Sequence, residues 1–183
     1  MVEASLSDAS ESIGSTFLTE EQIRQRVAEL GAQISHDYAG KDLIAIGVLK
    51  GVFIFMADLL RAITIPVSVD FLAVTRYGPS EQTRGVVNLT KDLDIPLVGR
   101  HVLLVEDIID TGLTTHFIIR TLRLRQPKSL KVCTLLNRNR RRIIELDMAY
   151  VGFDIPKDYI VGYGLDFQEH YRNLPYIAKF DPD

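Results

Sequence analysis

The segment 102–115, VLLVEDIIDTGLTT, constrains this chain more than any other stretch. Four apolar residues run into Glu106 and Asp107, two more follow, and Asp110, Thr111, Gly112, Leu113, Thr114 and Thr115 close it. A short continuous apolar run suits a strand covered on both faces in a parallel sheet. Open α/β sheets bind their ligands just beyond the carboxyl ends of such strands. The segment therefore reads as strand HVLLVED, loop IIDTGLT and a helix from about Thr114, with acids and hydroxyls where a ligand would sit.

The rest of the chain supplies elements to surround that strand. Thr19 followed by Gln22 fits a capping box, and Ile23, Val27, Leu30, Ile34 and Tyr38 recur at helical spacing up to a stop at Gly40. DLIAIGVLKG reads as a strand breaking at Lys50-Gly51, and VFIFMADLLRAI as a helix ending before Pro66. VSVDFLAV and VVNLTKDL read as two arms of a long hairpin around the polar loop TRYGPSEQTRG. TTHFIIRTLRLRQ reads as a helix, SLKVCTLLN as a strand and RNRRR as a charged turn. The C-terminal stretch, rich in Tyr, Gly and Pro, reads as extended segments beside the sheet. Strands alternating with helices predict an α/β fold, a mostly parallel sheet flanked by helices. One domain is expected over 17–183, after a Ser-rich, acidic and disordered tail over 1–16.

Composition narrows the ligand. The net charge of −3 offers no basic field for nucleic acid or a membrane, so an anionic ligand needs local cations or a metal. The four histidines are scattered without metal-ligand spacing. Cys133 is the only cysteine and sits in the apolar KVCTLL, so a buried, inert thiol is expected. No apolar run approaches the roughly 20 residues that cross a bilayer. The N-terminus lacks a charged-then-apolar leader pattern. A cytoplasmic setting is the expectation.

In the opening segment, Gly112 allows the backbone to approach an anion. Backbone N–H groups there, with the Thr111 and Thr114 hydroxyls, can cradle one phosphate. Neither GxxxxGK[ST] nor GxGxxG occurs here, so this is no Walker loop or dinucleotide fingerprint. A carboxylate facing a phosphate is repelled. Glu106 and Asp107 should therefore face hydrogen-bond donors, and a vicinal diol supplies two. A ribose 5-phosphate satisfies the acids and the loop together.

At this point VEDIIDTG resembles the phosphoribosyl-pyrophosphate motif of type I phosphoribosyltransferases. The stretches GVLKGVFIFMADL, VDFLAVTRYG, YVGFDIP and VGYGLDFQEHYRNLPYI are similar to the hypoxanthine-guanine members of that family. The resemblance implies their fold, with a small C-terminal hood and a flexible flap hairpin. It implies transfer of a phosphoribosyl group from phosphoribosyl pyrophosphate to a 6-oxopurine in purine salvage. By the same resemblance, Glu106 and Asp107 take the ribose hydroxyls, and Asp110, Thr111, Gly112, Leu113 and Thr114 hold the 5-phosphate. Asp110 also exchanges a proton with purine N7. Leu49, Lys50 and Gly51 match the pyrophosphate loop, where the family often has a non-proline cis peptide, and Arg172 matches a second pyrophosphate contact. Asp166 matches a magnesium ligand, with Glu106 and Asp107 as further candidates. Tyr159 matches the aromatic that stacks on the purine, and Ile160 follows it at the base edge. Arg76 and Tyr77 fall in the flap. A homodimer or homotetramer is implied, with no membrane or nucleic-acid partner.

Two positions depart from the family pattern. Arg76 stands where serine is usual, and Arg138 stands where the purine-reading lysine is usual. Arginine can donate to a 6-oxo group through its fork, but the swap is not conservative. It leaves the ranking of hypoxanthine, guanine and xanthine open. A xanthine- or guanine-preferring transferase is one alternative, and a binding-only phosphoribosyl-pyrophosphate sensor is a second. NRNRRR suggests a third, a nucleotide-responsive RNA-binding regulator on the same fold. A basic run is more often a solvated turn, and an RNA binder does not need the purine, magnesium and flap residues together.

Overall fold

The strand Leu43–Leu49 (β2) is apolar at every position but Gly47, and the fold uses both of its faces. Leu43 and Ala45 pack in one core with the helices Glu20–Asp37 (α1) and Phe53–Ala62 (α2). Ile44, Ile46 and Val48 pack in another with the helix Leu113–Arg123 (α3). The computed structural model describes residues 13–76 and 87–181.

The main sheet also contains β3 (Val67–Arg76), β4 (Val87–Lys91), β5 (His101–Ile109), β6 (Ser129–Asn137) and β7 (Tyr150–Asp154). Its order is β4-β3-β2-β5-β6-β7. All pairs are parallel except β3 with β4, the two arms of the expected hairpin. β5 repeats the two-faced logic of β2. Leu103 and Val105 face the α1 and α2 core, while Val102 and Leu104 face the α3 core. Each fully buried aliphatic side chain contributes about 1.5–3 kcal/mol, so these two central strands anchor the sheet.

α1 starts as its sequence dictates. Thr19 Oγ1 accepts the Gln22 N–H at 3.2 Å, and Gln22 Oε1 accepts the Thr19 N–H at 2.9 Å. Its stripe Ile23, Val27, Leu30 and Ile34 is buried. Cys133 is buried, and burial pushes its thiol up to about 12, so it is an inert core group.

A second, smaller antiparallel sheet forms the expected C-terminal hood, and the N-terminal segment adds a strand to it. β1 (Ile13–Leu18), β9 (Ile177–Phe180) and β8 (Tyr159–Val161) form it in the order β1-β9-β8. Both ends of the described chain build it. Residues 13–16, placed by the sequence in a disordered tail, are strand residues, because β1 pairs with β9 from Ile13↔Phe180 to Leu18↔Ile177. The expectation for residues 1–12 lies outside the described residues. No described helix is long and apolar enough to cross a membrane.

Candidate active site

Two loops meet where the strand order reverses. β2 neighbours β5, with β3 continuing one way and β6 the other, so their carboxyl ends flank the crevice where open sheets bind ligands. The loop after β2 begins at Leu49-Lys50, and that peptide bond is cis. Gly51 follows. A Cβ there would lie 1.7 Å from Asp107 Oδ2, so the loop after β2 touches the end of β5 and only glycine fits.

β5 runs further than the sequence suggested. Ile108 pairs with Leu136 and Ile109 with Asn137, so strand geometry lasts to Ile109. The ladder to β6 and the burial of Ile109 hold these two residues in the strand. The loop shrinks to 110–112, and α3 begins at Leu113. Gly112 makes the turn with a left-handed φ of 83°. Thr111 O accepts N–H bonds from Ile143 at 2.9 Å and Ile144 at 3.2 Å, which fastens the loop from behind.

A cavity of about 450 Å³ opens over these loops. Its walls include Leu49, Lys50, Gly51, Glu106, Asp107, Asp110, Thr111, Gly112, Thr114, Arg138, Tyr159, Ile160 and Asp166. Two of the predicted residues with described side chains are not on its wall. Leu113 is in the first turn of α3 and 41% exposed, and Arg172 lies outside the lining set. Arg76 ends β3, and Tyr77 lies outside the described residues.

The acids have distinct environments. Glu106 is buried, and the Thr115 hydroxyl donates to its Oε1 at 3.1 Å. Asp107 Oδ1 accepts the Ile108 N–H at 2.7 Å. Burial raises the Asp107 carboxyl to about 6; the Ile108 N–H and the Arg172 charge oppose the rise, and the Asp166 charge adds to it. Asp110 Oδ1 is buried with no hydrogen-bond partner. Its Oδ2 lies 3.5 Å from Arg138 Nη1 and 3.4 Å from Arg141 Nη1.

Arg138 is itself buried. Its Nε donates to Pro156 O at 3.2 Å and its Nη2 to Asp158 O at 2.8 Å, which leaves Nη1 on the Asp110 side. Arg142 bonds to Asn137 Oδ1, and Asn139–Arg141 form a short 3-10 helix. Three arginines of the basic run therefore serve neighbouring protein groups.

On the opposite wall Tyr159 is 44% exposed, and its hydroxyl donates to Asp166 O at 3.2 Å. Phe167 meets the Tyr159 ring edge-on, with centroids 5.8 Å apart. Asp166 Oδ1 pairs with Arg172 Nη2 at 2.9 Å, and Oδ2 accepts the Glu169 N–H at 2.9 Å. Arg172 Nη1 donates to Gly164 O at 2.8 Å. Lys50 Nζ meets Glu169 Oε2 at 3.0 Å.

Among the described residues no group of three or more His, Cys, Asp or Glu side chains forms a ready metal cage. Asp107 and Asp166 nevertheless line one cavity. This fits magnesium, which takes one or two protein carboxylates and fills its sphere with water and ligand oxygens. Glu106, buried against Thr115, is the least accessible of the three candidate ligands.

Residues 14–168 match the family model described as phosphoribosyl transferase domain. The chain belongs to the phosphoribosyltransferase family. It is 51% identical to the hypoxanthine-guanine phosphoribosyltransferase of Mycobacterium avium over 93% of this chain and 87% of that protein. It is 46% identical to the hypoxanthine phosphoribosyltransferase of Haemophilus influenzae over 89% of this chain and 93% of that protein. The crystal structure of a Bacillus anthracis hypoxanthine-guanine phosphoribosyltransferase superposes with a TM-score of 0.88 at 47% identity, covering 92% of this chain and 99% of that one.

Within this phosphoribosyltransferase site, three residues escaped sequence reasoning. Thr115 holds Glu106, Arg141 pairs with Asp110, and Glu169 pairs with Lys50. Thr115 was legible in principle, since a helix starting at Leu113 brings its first turn back over the strand end. Arg141 was hidden in a run that reads as a solvated turn. Glu169 was hidden because its partner lies 119 residues away.

Proposed function

We propose that this chain moves the 5-phosphoribosyl group from phosphoribosyl pyrophosphate to N9 of hypoxanthine or guanine, with magnesium. The products are inosinate or guanylate and pyrophosphate, in a cytoplasmic purine-salvage role. The observation that carries the reading is the convergence on one cavity of Lys50-Gly51, Glu106-Asp107, Asp110 to Gly112, Arg138, Tyr159 and Asp166.

In this reading Glu106 and Asp107 accept hydrogen bonds from the ribose diol. The 110–112 loop and the first turn of α3 receive the 5-phosphate on backbone N–H groups. The C1′–oxygen bond to pyrophosphate breaks and N9 bonds to C1′. The N7 proton passes to Asp110 Oδ1, which has no partner to displace. Tyr159 offers its ring to the purine face, a contact typically worth about 1–3 kcal/mol. Arg138 Nη1 donates to the 6-oxo edge while its other nitrogens stay on Pro156 and Asp158. Magnesium, when bound, neutralises the leaving pyrophosphate. Asp166 and Asp107 are the residues that would hold it, and Lys50 and Arg172 bind the same polyanion. We extend the reading to a homodimer or homotetramer, which sedimentation checks.

The test is turnover with hypoxanthine, guanine, xanthine and adenine, with and without magnesium. Activity on hypoxanthine and guanine that depends on the metal is expected. A strong preference for xanthine would replace this reading with the xanthine-preferring one, and no turnover of any base would end it.

A further inference from the structure

Lys50 and Arg172 are the two cations that the proposed function assigns to pyrophosphate. Neither is unoccupied. One oxygen, Glu169 Oε2, lies 3.0 Å from Lys50 Nζ and 3.4 Å from Arg172 Nη2. A single anionic oxygen thus bridges two cations, as an oxygen of pyrophosphate would. The Glu169 backbone is tied in the same place, because its N–H donates to Asp166 Oδ2.

The turn that presents Glu169 is an unusual one for its sequence. Phe167 and His170 exchange both backbone hydrogen bonds, at 3.2 and 2.9 Å, across Gln168 and Glu169. Those two residues have φ of 50° and 69°. Two-residue turns with both central residues at positive φ favour Asn-Gly. Gln-Glu makes the same turn less easily. What it gains is a carboxylate aimed at both cations.

We propose that Glu169 is a resident stand-in for pyrophosphate, a carboxylate that bridges Lys50 and Arg172 and that pyrophosphate must displace. The inference rests on the transferase reading above. It has two consequences. The carboxylate keeps the two cations from facing each other before pyrophosphate binds, and bound pyrophosphate is weakened by the competing carboxylate, which favours its departure. The Lys50–Glu169 pair suits displacement, since both side chains are more than three-fifths exposed. Exposed ion pairs contribute little and are easily exchanged.

The experiment is calorimetric titration of inorganic pyrophosphate into the full chain, with and without magnesium. Wild type is compared with Glu169→Gln and with the double variant Gln168→Asn/Glu169→Gly, which keeps an easy turn and removes the carboxylate. Both variants should bind pyrophosphate about three- to tenfold more tightly, the scale of losing the exposed pair to Lys50 and the longer one to the partly buried Arg172. KM for the purine base should stay unchanged, and pyrophosphate should inhibit more strongly. Unchanged or weaker pyrophosphate binding in both variants, with normal wild-type turnover, overturns the inference and leaves the transferase reading standing. No pyrophosphate binding by any of the three proteins would overturn both.

Discussion

At one end of the cavity Glu106 lies buried under the Thr115 hydroxyl, and the 110–112 loop is fastened by two N–H bonds to Thr111 O. At the other end Lys50 and Glu169 are 68% and 64% exposed, and the parts are joined by ion pairs. The first end is rigid, because its groups are continuous with a buried strand and the ladder to β6 fixes them. The Lys50–Glu169 pair of the second is exchangeable, because exposed charged pairs hold little net energy, while Arg172 and Asp166 behind it are partly buried. A ligand that stays through the reaction suits the first end. A group that must leave suits the second.

Removing the buried, unpartnered Asp110 Oδ1 acceptor at the rigid end should have the largest effect. Asp110→Asn keeps the shape but loses the proton acceptor, so turnover should fall about 10²- to 10⁴-fold while binding of phosphoribosyl pyrophosphate changes little. Single-turnover kinetics and calorimetry separate the two. Turnover near wild type would remove Asp110 from proton transfer.

Gly51→Ala attacks the seam between the two ends. The new Cβ would sit 1.7 Å from Asp107 Oδ2, so either the loop or the carboxylate must move. A displacement of that order at a reacting centre costs about a hundredfold in kcat/KM. The chain should still fold, because the strain falls on a loop. A variant with normal kinetics would show that the seam is soft and that the ends are not held in register by this contact.

The rigid end was legible in the sequence, and the exchangeable end was not. Its acids and its loop lie within nine residues, from Glu106 to Thr114, and a strand followed by a helix can present them in only one place, although Thr115 and the Ile143–Ile144 N–H groups that hold them had to be seen in the fold. The strand's length was misjudged by two residues, because acids signal a strand end whereas the ladder to β6 decides it. The N-terminal strand was missed for a related reason. Its polar IGST gains its order from β9, more than 150 residues away in the chain. At the second end Lys50, Asp166 and Arg172 were named only through family resemblance. Glu169 was invisible, since nothing local links it to Lys50. Local chemistry can be read along the chain; pairing between distant loops has to be seen in the fold.

Asp107 faces both ends, and its proton is the finest probe of how they differ. Burial lifts its carboxyl to about 6, above the ordinary carboxylate range. Between that range and pH 6 this carboxyl keeps a proton in the folded chain that it has lost in the unfolded one, so its own contribution to stability falls as pH rises through this window and is flat above it. The loss is at most about 3 kcal/mol. Asp107→Asn should remove this contribution, read as the difference between variant and wild type in magnesium-free urea titrations run from pH 4 to 8, since the partly buried His101 imidazole adds an opposite slope to both, and should make the chain more stable than wild type at pH 7. The same variant should lose affinity for phosphoribosyl pyrophosphate at pH 7, because an amide cannot replace an acceptor-only carboxylate on the ribose diol. A variant that keeps the wild-type slope would place the titration elsewhere in the chain. The two ends would then be uncoupled, and Asp107 would belong to the rigid one alone.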